Sequence, residues 1–281
     1  MPGLLAFHAH PDDETTSTGG VLAKYSAAGE HVVVVTATDG AEGEIHNYDD
    51  PESLRGQLTE MREQELDAAL RILNIEHHAF LGYRDSGMMG TDANADSRCF
   101  WQADFMEATG KLVSLIRHHQ PEVLVVYDPF GGYGHPDHIQ VHRVGVASYW
   151  GAGDVVRFPL ADGEEPWQPA KLYWSAWPRS RMRAFADLRL AAELISEEDA
   201  ERMRESGTPD EAITTWIDVR EHLEQKNDAW KAHRTQIPED WFFFQVPDDL
   251  RPDVFGDETF VRVFGPTDGH SRETDLFSGL R

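Results

Sequence analysis

The sequence has little cysteine, little positive charge and no long apolar run, and each shortage excludes a class of protein. Its 281 residues include one cysteine, Cys99, so no disulfide can form within the chain and a reducing, cytoplasmic location is expected. Twenty-five Lys and Arg residues stand against 50 Asp and Glu residues, which gives a formal charge of −25. Because nucleic-acid affinity comes largely from cations that neutralise phosphates, nucleic acid is excluded as a partner.

Membrane insertion and secretion are also not expected. No segment approaches the roughly 20 apolar residues that are needed to cross a bilayer, so we expect no membrane partner. The chain leads straight into a short apolar run without a basic segment before it, unlike a secretory signal. Apolar residues make up 40% of the chain, enough for a full hydrophobic core. We therefore expect a soluble protein, and a homo-oligomer is left open.

The first half of the chain alternates short apolar runs with helical patterns. The runs over 3–8 and 31–38 predict strands buried on both faces, since the second is almost entirely β-branched. Further strands are predicted over 78–81 and 123–127, and helices over 16–29, 54–73 and 105–118. Because parallel neighbours need a crossover that is usually a helix, this order predicts an α/β fold with a Rossmann-like, doubly wound, mostly parallel sheet. We expect residues 1–150 to form the catalytic core.

The second half, residues 151–281, is rich in Gly, Pro and acidic turns. Strands are predicted over 171–176, 213–219 and 260–264, with one long helix over 220–233. We expect this half to be a C-terminal extension of the same domain, which adds strands to the sheet and caps the site.

Unusual polar segments follow three of the predicted strands. They are 8–14 (HAHPDDE), 39–44 (DGAEGE) and 128–138 (DPFGGYGHPDH). In an open α/β sheet the ligand crevice lies beyond the carboxyl ends of the strands, so these segments are expected to converge there. Two histidines and one carboxylate, with a position left open for water, are typical of a catalytic zinc site.

Other interpretations of these residues stay open. A single histidine is more often a surface or core residue, and Asp12 or Asp13 could cap the following helix. Two histidines and a carboxylate also describe the facial triad of non-heme Fe(II) oxygenases, which would make the protein an oxidoreductase. The additional carboxylate of Asp12 favours hydrolysis, because an oxygenase needs no base there. A non-catalytic sugar-binding protein is a further alternative.

Two motifs together resemble a known family. His-Pro-Asp-Asp-Glu at 10–14 and Gly-Gly-Tyr-Gly-His-Pro-Asp-His at 131–138 are similar to the LmbE-like, or PIG-L, zinc-dependent N-acetylglucosamine deacetylases. The resemblance runs nearly end to end and is closest to the members that act in the mycothiol pathway. These members are a pair of enzymes, the N-acetylglucosaminyl-inositol deacetylase and the mycothiol S-conjugate amidase. The segment 84–92 (RDSGMMGTD) resembles the deacetylase more than the amidase. The segments 232–237 and 273–280 fit both.

The resemblance implies a metal centre with a neighbouring base. One Zn²⁺ per chain would be held by His10, Asp13 and His138, with Fe²⁺ as an alternative occupant. The metal would lower the pKa of a bound water, and Asp12 would be the general base that takes its proton.

The resemblance also implies roles around the substrate. Tyr133 and a cationic His135 would stabilise the tetrahedral oxyanion, and His135 would protonate the leaving amine. Asp137 would orient His135 and favour its charged form. The expected substrate-binding residues are Glu44, Arg62, Asp85 and Met88.

The reaction implied is removal of the acetyl group from N-acetylglucosaminyl-inositol, a small-molecule aminosugar, in mycothiol biosynthesis. A mycothiol S-conjugate amidase and a deacetylase of another aminosugar or antibiotic intermediate are the alternatives. A different pocket around the same metal centre would suffice to change the acyl substrate, so the motifs leave both open.

Overall fold

One mixed sheet organises the molecule. The computed structural model describes residues 3–281. Within that range the strands are β1 Gly3–His8, β2 His31–Thr38, β3 His77–Tyr83, β4 Val123–Val126, β5 Lys171–Ala176, β6 Thr215–Asp218 and β7 Asp257–Phe264. Their order across the sheet is β3-β2-β1-β4-β5-β7-β6. The first five strands in this order run parallel to one another, and β7 pairs antiparallel with both β5 and β6. The predicted fold class is confirmed.

Helices cover both faces of this sheet. Over the same residues they are α1 Asp13–Ala27, α2 Pro51–Leu54, α3 Leu58–Ile72, α4 Phe105–His119, α5 Pro136–Gly151, α6 Arg179–Ala191, α7 Glu197–Glu205, α8 Leu223–Ala232, α9 Phe242–Gln245 and α10 Arg251–Phe255. None is long and apolar enough to cross a membrane.

The sheet is covered by two apolar layers, one on each face, and a third, smaller buried cluster contains Phe185, Trp230, Val246 and Phe255. Along β1, Leu4 and Ala6 pack with the layer under α1, α3 and α8, whereas Leu5 and Phe7 pack with the layer under α4 and α5. This alternation follows from the two-residue period of a strand. Both faces of β1 and β2 are buried, which explains why these strands have apolar residues without polar alternation.

Helix α5 was not predicted, and it matters for the site. Its buried residues, among them Gln140, Val144 and Tyr149, lie on several sides of the helix, so the sequence shows no single apolar stripe. Pro136 occupies its first turn, where a proline is well tolerated. As a consequence, Asp137 and His138 belong to a helix rather than to the loop after β4.

The helix predicted over 220–233 is confirmed, as a 3-10 turn over Arg220–His222 that continues into α8. It is not the one long helix of the second half, because α6 and α7 also form there and were not predicted. These two helices bury few side chains, such as Phe185 and Ala200, so their apolar stripes are too narrow to be recognised. Strands β5, β6 and β7 continue the sheet of the first half. The division of the chain at residue 150 stays a prediction.

Candidate metal and active site

The carboxyl ends of the parallel strands open into a polar cleft. Its volume is about 330 Å³, within the usual range for small-molecule sites of about 300–1,000 Å³. Nine predicted site residues line it: His10, Asp12, Asp13, Glu44, Arg62, Asp85, Met88, Tyr133 and His135. Thr16, Glu42 and Gln236 line it as well and were not predicted. The expected convergence of the three segments is therefore confirmed.

Three donor atoms form a nearly equilateral triangle at this cleft. His10 Nδ1 lies 3.3 Å from Asp13 Oδ2 and 3.3 Å from His138 Nε2, and His138 Nε2 lies 3.4 Å from Asp13 Oδ2. Bonds of about 2.0–2.1 Å to a tetrahedral zinc place neighbouring ligand atoms about 3.3–3.4 Å apart. The triangle therefore fits one face of such a site and leaves the fourth position on its open side.

A second grouping at the same place is less suitable. Donor atoms of His10, His135 and His138 also lie within 4.8 Å of one another. However, His135 Nδ1 accepts a hydrogen bond from the Asp137 backbone N–H at 3.2 Å, so only Nε2 of this ring could ligate a metal. The even spacing of the triangle favours Asp13 as the third metal-binding group, and this ligand set stays a prediction.

Carboxylates fix the orientation of the His10 ring. Its Nε2, which faces away from the triangle, lies 3.3 Å from Asp137 Oδ2 and 3.5 Å from Asp85 Oδ1. Burial lowers the pKa of His10, but the charges of Asp85, Asp13 and Asp137 raise it well above its usual value. A site this negative favours a cation, and a carboxylate behind a ligating histidine is the common arrangement at zinc centres.

The position of His138 depends on the loop before α5. Gly131 has a φ of +66°, and a Cβ atom there would lie 2.5 Å from the Cβ of His138. Glycine is therefore required for the close approach as well as for the backbone angle. On the other side, the Tyr127 ring stacks on His138 with centroids 4.6 Å apart and planes inclined by 21°. Tyr127 is a contact that the sequence analysis missed.

Asp12 lies beside the triangle with its carboxylate at the cleft. Burial raises its pKa to about 6, while the charge of Arg62, 3.1 Å away, acts in the opposite direction. A base with a pKa just below neutrality is largely ionised at pH 7 and still accepts a proton readily. The environment of Asp12 therefore suits the predicted role.

Arg62 has partners that the sequence analysis did not foresee. The side chain is 2% exposed, and it donates to the carbonyls of Gly40 at 2.7 Å and Pro11 at 2.6 Å in addition to its contact with Asp12. Arg62 is therefore not a solvated charge on the surface of α3. Contact with a substrate stays a prediction, but fixing Asp12 is a role that the structure provides directly.

The prediction for Asp137 named the wrong partner for its carboxylate. Its carboxylate accepts hydrogen bonds from the Ser86 backbone N–H at 2.9 Å and from Ser86 Oγ, and it faces His10 rather than His135. Only the backbone N–H of Asp137 contacts His135. Asp137 lies in the first turn of α5, and from there its carboxylate reaches the His10 ring on the side away from the triangle.

The surroundings of His135 do not favour the predicted cationic form. Burial, together with the imidazoles of His10 and His138, lowers its pKa to about 3. With Nδ1 accepting from the Asp137 N–H, the proton of the neutral ring is on Nε2. His135 is therefore a neutral hydrogen-bond donor at pH 7.

The remaining predicted residues surround the opening. Tyr133 is 59% exposed, and its hydroxyl lies 3.4 Å from His138 Nε2. Asp85 is buried and accepts from the backbone N–H of Gly87 at 2.8 Å, so it both shapes a turn and faces the cleft. Met88 and the carboxylate of Glu44 are largely exposed at the rim. Tyr133, Met88 and Glu44 are therefore exposed at the opening, whereas Asp85 lies within the wall of the cleft.

Comparison with known families agrees with this geometry. The family model described as PIG-L, GlcNAc-PI de-N-acetylase, matches residues 5–149. The chain belongs to the PIG-L family, whose members are metal-dependent amide hydrolases, so the predicted class of enzyme is confirmed. A curated relative from Thermomonospora curvata is 43% identical over 99% of this chain and 96% of its own length. That relative is named 1D-myo-inositol 2-acetamido-2-deoxy-alpha-D-glucopyranoside deacetylase.

Solved structures with the same fold have diverged in sequence. The N,N'-diacetylchitobiose deacetylase from Pyrococcus horikoshii matches with a TM-score of 0.65 at 20% identity, over 94% of this chain and 84% of the other. GalB, the 4-carboxy-2-hydroxymuconate hydratase from Pseudomonas putida KT2440, matches with a TM-score of 0.60 at 18% identity, over 95% and 98%. Since deacetylase and hydratase share this fold, the reaction must be argued from the site.

Proposed function

We propose that this chain is a cytoplasmic, zinc-dependent deacetylase that hydrolyses the acetamide of N-acetylglucosaminyl-inositol. The triangle formed by His10, Asp13 and His138, with the ionisable Asp12 at its side, carries the proposal. The 43% identical relative is named for the same reaction and supports the choice of substrate. Zinc is the proposed metal because the donors are two imidazoles and a carboxylate at tetrahedral spacing.

The metal and Asp12 have different roles in the proposed hydrolysis. Zn²⁺ held by the triangle would polarise the amide carbonyl and make water a stronger acid. Asp12 takes a proton from the attacking water as the water oxygen bonds to the acetyl carbon. The carbon–nitrogen bond then breaks, and the nitrogen receives a proton as it leaves. The products are acetate and the free amine, so all atoms of water and substrate are accounted for.

The second proton transfer also belongs to Asp12 in this proposal. His135 is neutral, because its pKa is lowered to about 3 by burial and its neighbours His10 and His138, so it has no spare proton to give. Its Nε2–H instead donates a hydrogen bond to the oxyanion, and the Tyr133 hydroxyl does the same from the rim. Asp12, which has taken a proton from the water, is the acid that gives this proton to the leaving amine.

The walls of the cleft favour a neutral polyol. Glu42, Glu44 and Asp85 place acceptors around the opening, and these carboxylates match sugar and inositol hydroxyls. They would repel an anionic substrate. We propose that Asp85 and Glu44 bind hydroxyls of the substrate, that Arg62 contributes a donor, and that Met88 covers an apolar face of a ring.

The test is release of amine and acetate from N-acetylglucosaminyl-inositol by the metal-free protein reconstituted with one equivalent of Zn²⁺ or Fe²⁺. The proposal predicts equal amounts of acetate and amine with zinc, and a loss of turnover in the Asp12→Asn variant without a loss of metal. Oxygen consumption in the iron form would instead support the oxidoreductase. Sugar binding without turnover in either form would support a non-catalytic protein.

A further inference from the structure

A fully buried ion pair contacts the backbone of Asp12. Glu14 Oε1 lies 2.7 Å from His233 Nε2, and neither side chain has exposed surface. The other carboxylate oxygen, Oε2, accepts a hydrogen bond from the Asp12 backbone N–H at 2.9 Å. One carboxylate thus connects the second half of the chain to the proposed base.

Asp12 has a backbone conformation that needs such support. Its φ is +135° and its ψ is −27°, a combination that residues with a Cβ atom rarely adopt. A strained residue keeps its conformation only when several neighbours fix it together. Here Glu14 holds the N–H, the Thr15 hydroxyl donates to the carbonyl at 2.7 Å, and Arg62 contacts the carboxylate.

The His233 side chain has no other identifiable task. Among the residues that the structure describes, its buried Nδ1 has no hydrogen-bond partner, so its polar contact is the one with Glu14. Burying an ion pair costs free energy, which makes a pair with a single contact a poor device for stability alone. Three residues later, Gln236 lines the cleft. The segment 233–236 therefore reaches the site in two ways.

We propose that Glu14 and His233 are positioning residues, which hold Asp12 in its strained conformation and so direct its carboxylate toward the reacting water. The inference rests on the proposed function in that Asp12 is taken as the base. Neither residue touches the substrate in this account. Both act through the backbone of Asp12.

The chain offers a matched control that contacts the same helix, α1. Glu258 pairs with Lys226 at 2.6 Å, is 5% exposed, and accepts hydrogen bonds from the backbone N–H groups of Gly20 and Val21. It is also a buried pair that joins the second half of the chain to α1. Glu258 contacts the helix at Gly20 and Val21, away from Asp12, and the contact of Lys226 with the Thr16 carbonyl does not involve the side chain that is changed. Glu258→Gln therefore reports the cost of losing a buried pair as such.

The experiment is a double-mutant cycle on the zinc-loaded enzyme with N-acetylglucosaminyl-inositol. We expect Glu14→Ala to lower kcat about 10–100-fold, the usual effect of removing a group that orients a site residue, with little change in KM or zinc content. Glu14→Gln should retain part of the activity, because its amide oxygen can still accept the Asp12 N–H. In the Asp12→Asn background, Glu14→Ala should cost less than about twofold more, since both changes disable one unit.

Two outcomes would overturn the inference. One is that Glu14→Ala lowers kcat by the same factor in the unaltered enzyme and in the Asp12→Asn background. The other is that the Glu258→Gln control lowers kcat as much as Glu14→Ala does. A crystal structure of zinc-loaded Glu14→Ala gives a readout without activity: the φ of Asp12 should relax while His10, Asp13 and His138 stay in place. An unchanged φ contradicts the inference. If the unaltered enzyme turns over no substrate, the proposed function fails, and the crystal structure still decides the role of Glu14.

Discussion

The Arg62 guanidinium lies 3.1 Å from the Asp12 carboxylate and donates from the same nitrogen to the Pro11 carbonyl. Burial raises the pKa of Asp12 to about 6, with a smaller contribution from the charge of Asp13, and the charge of Arg62 is the largest contribution that limits this rise. The pair therefore controls the pH at which the proposed base becomes protonated.

Removing this charge should move the acid limb of the pH profile. A group that must be ionised to act loses activity as the pH falls through its pKa, and Arg62→Gln removes a contribution that lowers the pKa of Asp12. We expect the acid limb of kcat/KM to shift upward by about 1 to 3 pH units, the range for a carboxylate that loses an adjacent arginine. The measurement is kcat/KM from pH 5 to 9.

Arg55→Gln is the control, because Arg55 is exposed and contacts the carbonyl of Gly43, a cleft residue, rather than Asp12. Its profile should keep the unaltered acid limb. An unshifted limb in Arg62→Gln would show that Asp12 is not the titrating base.

Metal binding should separate His138 from His135. Both imidazoles lie beside His10 at the proposed metal centre, but only His138 belongs to the evenly spaced triangle. We expect His138→Ala to lose bound zinc after dialysis and His135→Ala to retain one equivalent with a kcat lowered at least about 100-fold, as for removal of an oxyanion donor. Metal analysis and kinetics on both proteins provide the check. Loss of zinc from His135→Ala would assign the site to the three histidines instead.

Asp137 should act on the metal through His10. Since its carboxylate lies 3.3 Å from His10 Nε2, Asp137→Ala removes the acceptor that orients the ligand. We expect zinc affinity to fall about 10–100-fold in a competition titration with a chromophoric chelator. Ser86→Ala leaves the contact with His10 in place and should have a smaller effect. Unchanged affinity in Asp137→Ala would return this residue to its sequence-predicted role beside His135.

The strand pattern of the first half was predictable from local sequence. Val32 to Val35 form a β-branched run without polar alternation, and only a strand buried on both faces gives that pattern. The carboxyl ends of such strands meet at one edge, so the meeting of His10, Asp13 and His138 also followed from the sequence together with the family motifs.

Hydrogen-bond partners were not predictable in the same way. Whether Asp137 faces His10 or His135 depends on where α5 begins, and that helix has no apolar stripe to reveal it. The contact of His233 with Glu14 joins positions 219 residues apart. No local pattern encodes such a separation, because it results from how α8 packs on α1 and α3.

Protonation of His8 should weaken the fold at mildly acid pH. His8 is buried between the hydroxyls of Tyr127 and Thr18, and burial lowers its pKa from 6.5 to about 4, against the opposing charges of Asp13 and Glu14. Between these values the unfolded chain binds a proton that the folded chain does not, so this contribution to stability is present above pH 6.5 and is lost as the pH falls toward 4.

The effect is measurable by urea unfolding of the metal-free protein at pH 7 and pH 5. The unaltered chain should lose roughly 1–2 kcal/mol more than His8→Gln over this interval, because glutamine can bond the same hydroxyls without titrating. Equal losses in the two proteins would show that His8 does not carry the pH dependence.

The central claim is that an acidic cleft around a His10–Asp13–His138 zinc centre selects a neutral aminosugar amide. Its most direct test compares the specificity constants of the zinc-loaded enzyme for N-acetylglucosaminyl-inositol and for a mycothiol S-conjugate, measured side by side as amine release. The account predicts a clear preference for N-acetylglucosaminyl-inositol, and it predicts that the Asp12→Asn variant loses turnover of this substrate. A preference for the conjugate would contradict it and identify an amidase, and no turnover of either would place the substrate of this centre outside both.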